Sequence, residues 1–100
     1  MTIKHVVVWK LKAEDEAQKR ADGRKIVEVL GGLVGVVPEL KSLEGGPNVA
    51  PLDRNWDVAI VAEFDDLDGM MAYQVHPEHE TRAAVVREFA QQVTGVDYEV

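Results

Sequence analysis

The sequence predicts one α+β domain, in which a four-stranded antiparallel sheet carries helices on a single face. Two observations carry that expectation. Segments of two-residue and of helical periodicity follow one another as β-α-β-β-α-β, the order of the ferredoxin-like split βαβ arrangement. The chain has 100 residues, 46% of them hydrophobic, which is enough for one core and too little for two. A domain of this length buries only about 60–65% of its unfolded surface, so a second copy is a ready source of further burial.

The first strand is read from Ile3 to Leu11. Ile3, His5, Val7, Trp9 and Leu11 share one face; Lys4, Val6, Val8, Lys10 and Lys12 share the other. A long helix is expected from Glu14 to Val37, with Asp15 as its cap or first-turn acid. Ile26, Leu30, Leu33, Val34 and Val37 make its buried stripe, and Pro38 stops it. Gly31, Gly32 and Gly35 each cost such a helix about 1 kcal/mol against alanine, and are read as points of close packing on the sheet.

Leu40 to Glu44 is the second expected strand, ended or bulged by Gly45-Gly46-Pro47. After a loop at 48–55, Asp57 to Phe64 is the third strand. Asp65 or Asp66 caps a short helix to about Val75. His76-Pro77 interrupts it, since the residue before proline is pushed out of the α region. Pro77 suits the first position of a new helix, which is expected to reach about Val93 with Val85, Val86 and Phe89 turned inward. Gly95 breaks it, and Val96 to Val100 is the last strand. With all helices on one face, Val6, Val8, Ala59 and Val61 lie on a bare one. An exposed apolar sheet face is usually an interface, and the same face of a second copy is its simplest cover, which predicts a homodimer.

Composition narrows the function. A formal net charge of −7 repels phosphate backbones, and there is no polybasic patch, so neither nucleic acid nor a membrane is an expected partner. The absence of cysteine excludes disulfides, thiolate metal sites and a cysteine nucleophile, and accords with the expected cytoplasmic location. The opening Met1-Thr2-Ile3-Lys4-His5 is too short and too charged for a signal peptide. Ser42, Thr81 and Thr94 stand in no nucleophile elbow, and neither glycine pair forms a phosphate-binding loop.

Chemistry concentrates in Tyr73-Gln74-Val75-His76-Pro77-Glu78-His79, which holds two of the three histidines; the third is His5, on the core side of strand one. Three readings stay open. His76 and His79 are helix-end residues with a structural role. Alternatively they chelate a metal as H-x-x-H, although at the proline boundary the two rings need not converge and no third ligand is evident. Or His79 is a base: near the positive end of a helix dipole its ring tends to stay neutral, and Tyr73 can place a hydroxyl beside it.

The residues Ile3-Lys4-His5-Val6-Val7, Trp9-Lys10-Leu11-Lys12, Val36-Val37-Pro38, Ala72 to His79 and Val96-Asp97-Tyr98 resemble the stress-responsive A/B barrel (Dabb) family nearly from end to end. The resemblance implies a single domain over 1–100 and a ferredoxin-like protomer whose sheet packs on a partner's sheet in a dimeric α/β barrel. Many members have no known activity. One, the polyketide cyclase olivetolic acid cyclase, closes a poly-β-ketone by aldol condensation without a cofactor. Carried over by position, His79 is the base, Tyr73 steadies the substrate, and His5 and His76 are further pocket histidines. Val7, Trp9, Ile26, Leu30 and Ile60 fall at pocket-lining positions. Where that enzyme has aromatics this chain has Ile26, Leu30, Arg82 and Ala90, so a different ligand is expected, with Arg82 as a cation suited to an acidic or phenolic one. The family also implies a structural magnesium on the main-chain carbonyls of Val34, Val37 and Leu40. Two functions follow: a cofactor-independent enzyme on a small aromatic or polyketide-like compound, or a non-catalytic dimer that binds or stabilises something under stress.

Overall fold

The computed structural model describes residues 1–100. Its elements are β1 (Ile3–Leu11), α1 (Glu16–Gly31), β2 (Ser42–Pro47), β3 (Val58–Phe64), α2 (Leu67–Val75), α3 (Pro77–Phe89) and β4 (Ala90–Glu99). The strands form one antiparallel sheet in the order β2-β3-β1-β4. This is the expected ferredoxin-like α+β architecture, with the second helical segment split into α2 and α3.

Alternation along β1 sets both faces of the sheet. On the helix-covered face, Ile3, Trp9 and Leu11 join Val58, Ile60, Ala62 and Phe64 of β3 in one core. Ile26 and Leu30 of α1, Met70 and Tyr73 of α2, and Val86 of α3 close it from above. On the other face Val6 stands opposite Val61 and Val96, and Val8 opposite Ala59 and Thr94. This strip has no cover within the chain, and Val96 is 65% exposed. It ends in polar residues: Lys4 bridges Glu63 at 3.5 Å, and the Ser42 hydroxyl donates to the same carboxylate at 3.1 Å.

Three boundaries differ from the sequence reading. Helix α1 starts as expected, with the Asp15 carboxylate accepting from the Gln18 N–H at 3.0 Å, but it ends at Gly31 rather than Val37. Gly32 caps it, and Gly35 adopts φ +88°, a backbone that only glycine takes freely. The glycines therefore end the helix instead of packing it on the sheet, and Gly32 lies close under the Arg82 guanidinium, which is 2.5 Å from where a Cβ would stand. Leu33, Val37 and Leu40 still reach the core, from turns, whereas Val34 points out at 44% exposure. Strand β2 begins later than expected and runs through Gly45-Gly46-Pro47, which an edge strand tolerates. Helix α3 stops at Phe89, and β4 takes ten residues instead of five. The ladder to β1 explains this, since it pairs Ile3 with Glu99 at one end and Leu11 with Ala90 at the other.

Two glycines give opposite expectations. A Cβ on Gly45 would stand 2.1 Å from the Ala59 carbonyl oxygen, whereas one on Gly31 meets nothing within 4 Å. Gly45→Ala should lower stability by about 1–3 kcal/mol through overpacking. Gly31→Ala should hold or raise it by up to about 1 kcal/mol. Urea unfolding of both variants checks the pair.

Candidate active site

The break between α2 and α3 builds the site. Asp66 caps α2, its carboxylate accepting from the Gly69 N–H at 2.7 Å, which fixes the phase of the helix and turns Tyr73 inward. Tyr73 is 1% exposed and its ring lies 5.0 Å from that of Phe64. At the next turn Pro77 has no N–H to give. His76 becomes the cap of α3, and its Nδ1 accepts from the Glu78 N–H at 3.1 Å. In an unbroken helix that N–H would go to the Gln74 carbonyl. Here the Gln74 carbonyl is left to accept from His79 Nδ1 at 3.2 Å.

That bond settles the form of the His79 ring. A carbonyl only accepts, so Nδ1 carries the proton and the neutral ring keeps a lone pair on Nε2. The Tyr73 and His79 rings are 4.3 Å apart between centroids. Burial makes His79 harder to protonate than an ordinary histidine, and the charges of His5 and Arg87 add to this against the Gln74 bond and Glu80. Burial also pushes the Tyr73 phenol up to about 12. The pair is thus a neutral base next to a phenol that stays protonated.

His5 reaches the same place from β1. Its Nδ1 pairs with the Asp97 carboxylate of β4, and its Nε2 lies 3.3 Å from the Gln74 side-chain amide. Its ring meets that of Tyr73 edge-on at 6.3 Å. A cavity of about 360 Å³ opens against this cluster, between the helices and the sheet. Its walls include His5, Val7, Trp9, Ile60, Tyr73 and His79, with Leu30, Gln74 and Val93–Gly95 completing them. The Tyr73 hydroxyl has no hydrogen-bond partner within the chain, and the Tyr73 side chain is part of the wall of this space. A larger hollow of about 430 Å³ lies on the bare face around Arg54 and Trp56 and touches neither histidine nor tyrosine.

Most of the expected site residues are brought together, but four groups are placed elsewhere. His76 is the cap and does not line the cavity, because the Glu78 N–H holds its ring. Ile26 is wholly buried in the core beneath. Arg82 does not reach the cavity edge. Its Nη1 donates to the Val29 carbonyl at 2.7 Å, where the last turn of α1 offers unpaired carbonyls and the negative end of its dipole. The carbonyls of Val34, Val37 and Leu40 lie in the turns beyond α1, and that of Val37 accepts from the Leu40 N–H at 3.1 Å. No cluster of three acidic, histidine or cysteine side chains supplements them. Neutral carbonyls, one already engaged, fit the strongly hydrated magnesium ion poorly. The residues that sequence reasoning missed are Asp97, the Gln74 amide and carbonyl, and Val93–Gly95. For Asp97 the signal was its strand position, directly opposite His5.

With this geometry in hand, comparison with known proteins gives a consistent result. The family model of the stress-responsive A/B barrel domain matches residues 3–100. An uncharacterized protein of Streptomyces coelicolor is 34% identical, over 97% of this chain and 98% of its own. A dimeric ferredoxin-like protein of unknown function from Bacteroides fragilis superposes with a TM-score of 0.84 at 28% identity, covering 99% of this chain and 96% of that one. The hydroxynitrile lyase of Passiflora edulis shares the fold, with a TM-score of 0.80 at 18% identity over 99% of this chain and 93% of that one. No helix here is long and apolar enough to cross a membrane.

The state of His79 has a consequence for stability. Its folded proton affinity lies below the ordinary 6.5. As pH falls through that value the unfolded chain takes up the proton first, so stability falls. Urea midpoints between pH 8 and pH 5 should therefore drop more steeply in the parent protein than in His79→Gln. Parallel profiles would contradict the buried neutral imidazole.

Proposed function

The chain belongs to the stress-responsive A/B barrel domain family, and from that premise we propose that it is a homodimer acting on a small aromatic or polyketide-like compound without a cofactor. The observation that carries the chemistry is the free Nε2 of His79 on a ring 4.3 Å, centroid to centroid, from that of Tyr73, both at the wall of an apolar cavity. His79 Nε2 takes a proton from a carbon next to a carbonyl. The Tyr73 hydroxyl, still protonated, donates a hydrogen bond to the enolate oxygen as charge builds there. The carbanion adds to a second carbonyl of the same molecule, and the His79 imidazolium returns the proton to the new alkoxide. His5, steadied by Asp97, bonds to the Gln74 side chain and so holds the residue whose carbonyl orients His79. Trp9, Val7 and Ile60 supply apolar walls that keep water from the carbanion.

The dimer is supported by the uncovered strip of Val6, Val8, Ala59, Val61 and Val96. Pairing this strip with its copy buries it and leaves the cavity free, because the cavity lies on the opposite face of the sheet.

Two variants test the chemistry with a synthetic poly-β-keto thioester, read as cyclised product by mass spectrometry. His79→Ala should lower the rate by about 10²–10⁴, the usual worth of a general base. Tyr73→Phe should lower kcat more than it raises KM, since its bond strengthens as charge develops. Both should elute as folded dimers. Full turnover by His79→Ala would overturn the assignment. Val6→Glu should give a monomer by light scattering, and an unchanged dimer would remove the sheet-face pairing.

A further inference from the structure

The cavity does not stop at His79. A second hollow of about 200 Å³ shares Trp9, Leu30, His79 and Val93 with it and continues along α3 to Ala83, Val86 and Arg87. His79, Ala83, Val86 and Arg87 stand at i, i+4, i+7 and i+8, one face of the helix. Arg87 is the only side chain along either hollow with a permanent charge, and none of the chain's ion pairs involves it. Arg87 is exposed, but in a chain of net charge −7 its guanidinium stands without a carboxylate partner at the open end of an apolar slot, where an anionic ligand can reach it.

We infer that the ligand is an amphipathic organic acid, its carboxylate held by Arg87 and its aromatic or aliphatic body lying along Trp9, Leu30 and Val93 toward His79 and Tyr73. This deepens the proposed function and rests on reading the cavity as a ligand site. A guanidinium meets a carboxylate with two parallel hydrogen bonds, and it does so better beside apolar walls than in open water. Eight helical residues separate the backbones of residues 79 and 87 by about 12 Å. Helical side chains lean toward the N-terminus, which brings the Arg87 head back over the slot. The span left between carboxylate and reacting carbon is then roughly 6–10 Å, a ring or a short chain in length. The Arg87 charge also reaches His79, where it opposes protonation. A bound carboxylate offsets that charge and leaves the base readier to take a proton. Arg87 therefore takes the part that the sequence pointed to Arg82 for.

Trp9 lines both hollows, so its fluorescence reports occupancy once the other tryptophan is removed as Trp56→Phe. The probes are 4-butylbenzoic acid and its neutral amide, of nearly equal shape. The acid should bind about three- to tenfold more tightly at low salt, with the gap closing as salt is added. Arg87→Gln should bring the acid down to the amide and leave the amide unchanged, whereas Arg82→Gln should keep the preference. Equal binding of acid and amide, or a preference that survives Arg87→Gln, overturns the role of Arg87 and leaves the catalytic pair standing. Binding of neither probe removes the ligand site itself, and this inference with it.

Discussion

Proline at position 77 has no N–H for the carbonyl four residues before it, and it drives His76 out of helical geometry. The rest of the site follows from how the chain repairs that loss. The His76 ring takes the Glu78 N–H, and the Gln74 carbonyl, freed from its helical partner, takes His79. One interruption thus turns the second helix, stations His79 in the first turn of α3 against Tyr73, and decides which ring nitrogen keeps its proton. His76 acts here through the backbone. Its importance to the site is as the cap that makes the exchange possible.

The exchange needs a rigid floor, which the sheet supplies. Strand β1 is paired on both sides, with β3 and with β4, so the residues it presents are held over nearly its whole length. Its inner face carries the walls of the cavity and His5, while its outer face carries an apolar strip. One strand therefore couples two properties that could have been independent, a sheltered pocket above and an apolar face below. Burial acts on the two reactive groups in complementary ways. It holds the Tyr73 phenol protonated and the His79 imidazole unprotonated, because in each case the charged form is the one that loses water. Neither ring needs a strong ionic partner to stay in the form that the proposed chemistry requires.

Much of this was legible in the residues, and the gaps have physical causes. Strand β1 was read to the residue because its alternation is strict and both its faces are used. Helix α1 was read too long because apolar spacing continues past Gly31. Leu33 and Val37 do reach the core, but a glycine-rich turn brings them there rather than a helix. Strand β4 was read too short because it runs along an edge with both faces open, so Gln91, Gln92 and Thr94 show no inward pattern. The Tyr73–His79 pair was legible because the helix break that makes it is local. The contacts of His5 with Asp97 and Gln74 were not, since they join residues 92 and 69 positions apart. Arg82 was misplaced for a similar reason: only the end of α1, distant in sequence, shows where its guanidinium goes.

The site depends on a neutral His79 with its proton on Nδ1 and its lone pair on Nε2. Nitrogen-15 NMR of histidine-labelled protein near pH 7 reads this directly. A pyrrole-like Nδ1 and a pyridine-like Nε2 are expected for His79, with both shifts altered when Pro77→Ala lets the helix run on and reclaim the Gln74 carbonyl. A protonated Nε2, or a fully charged ring at neutral pH, would contradict this assignment.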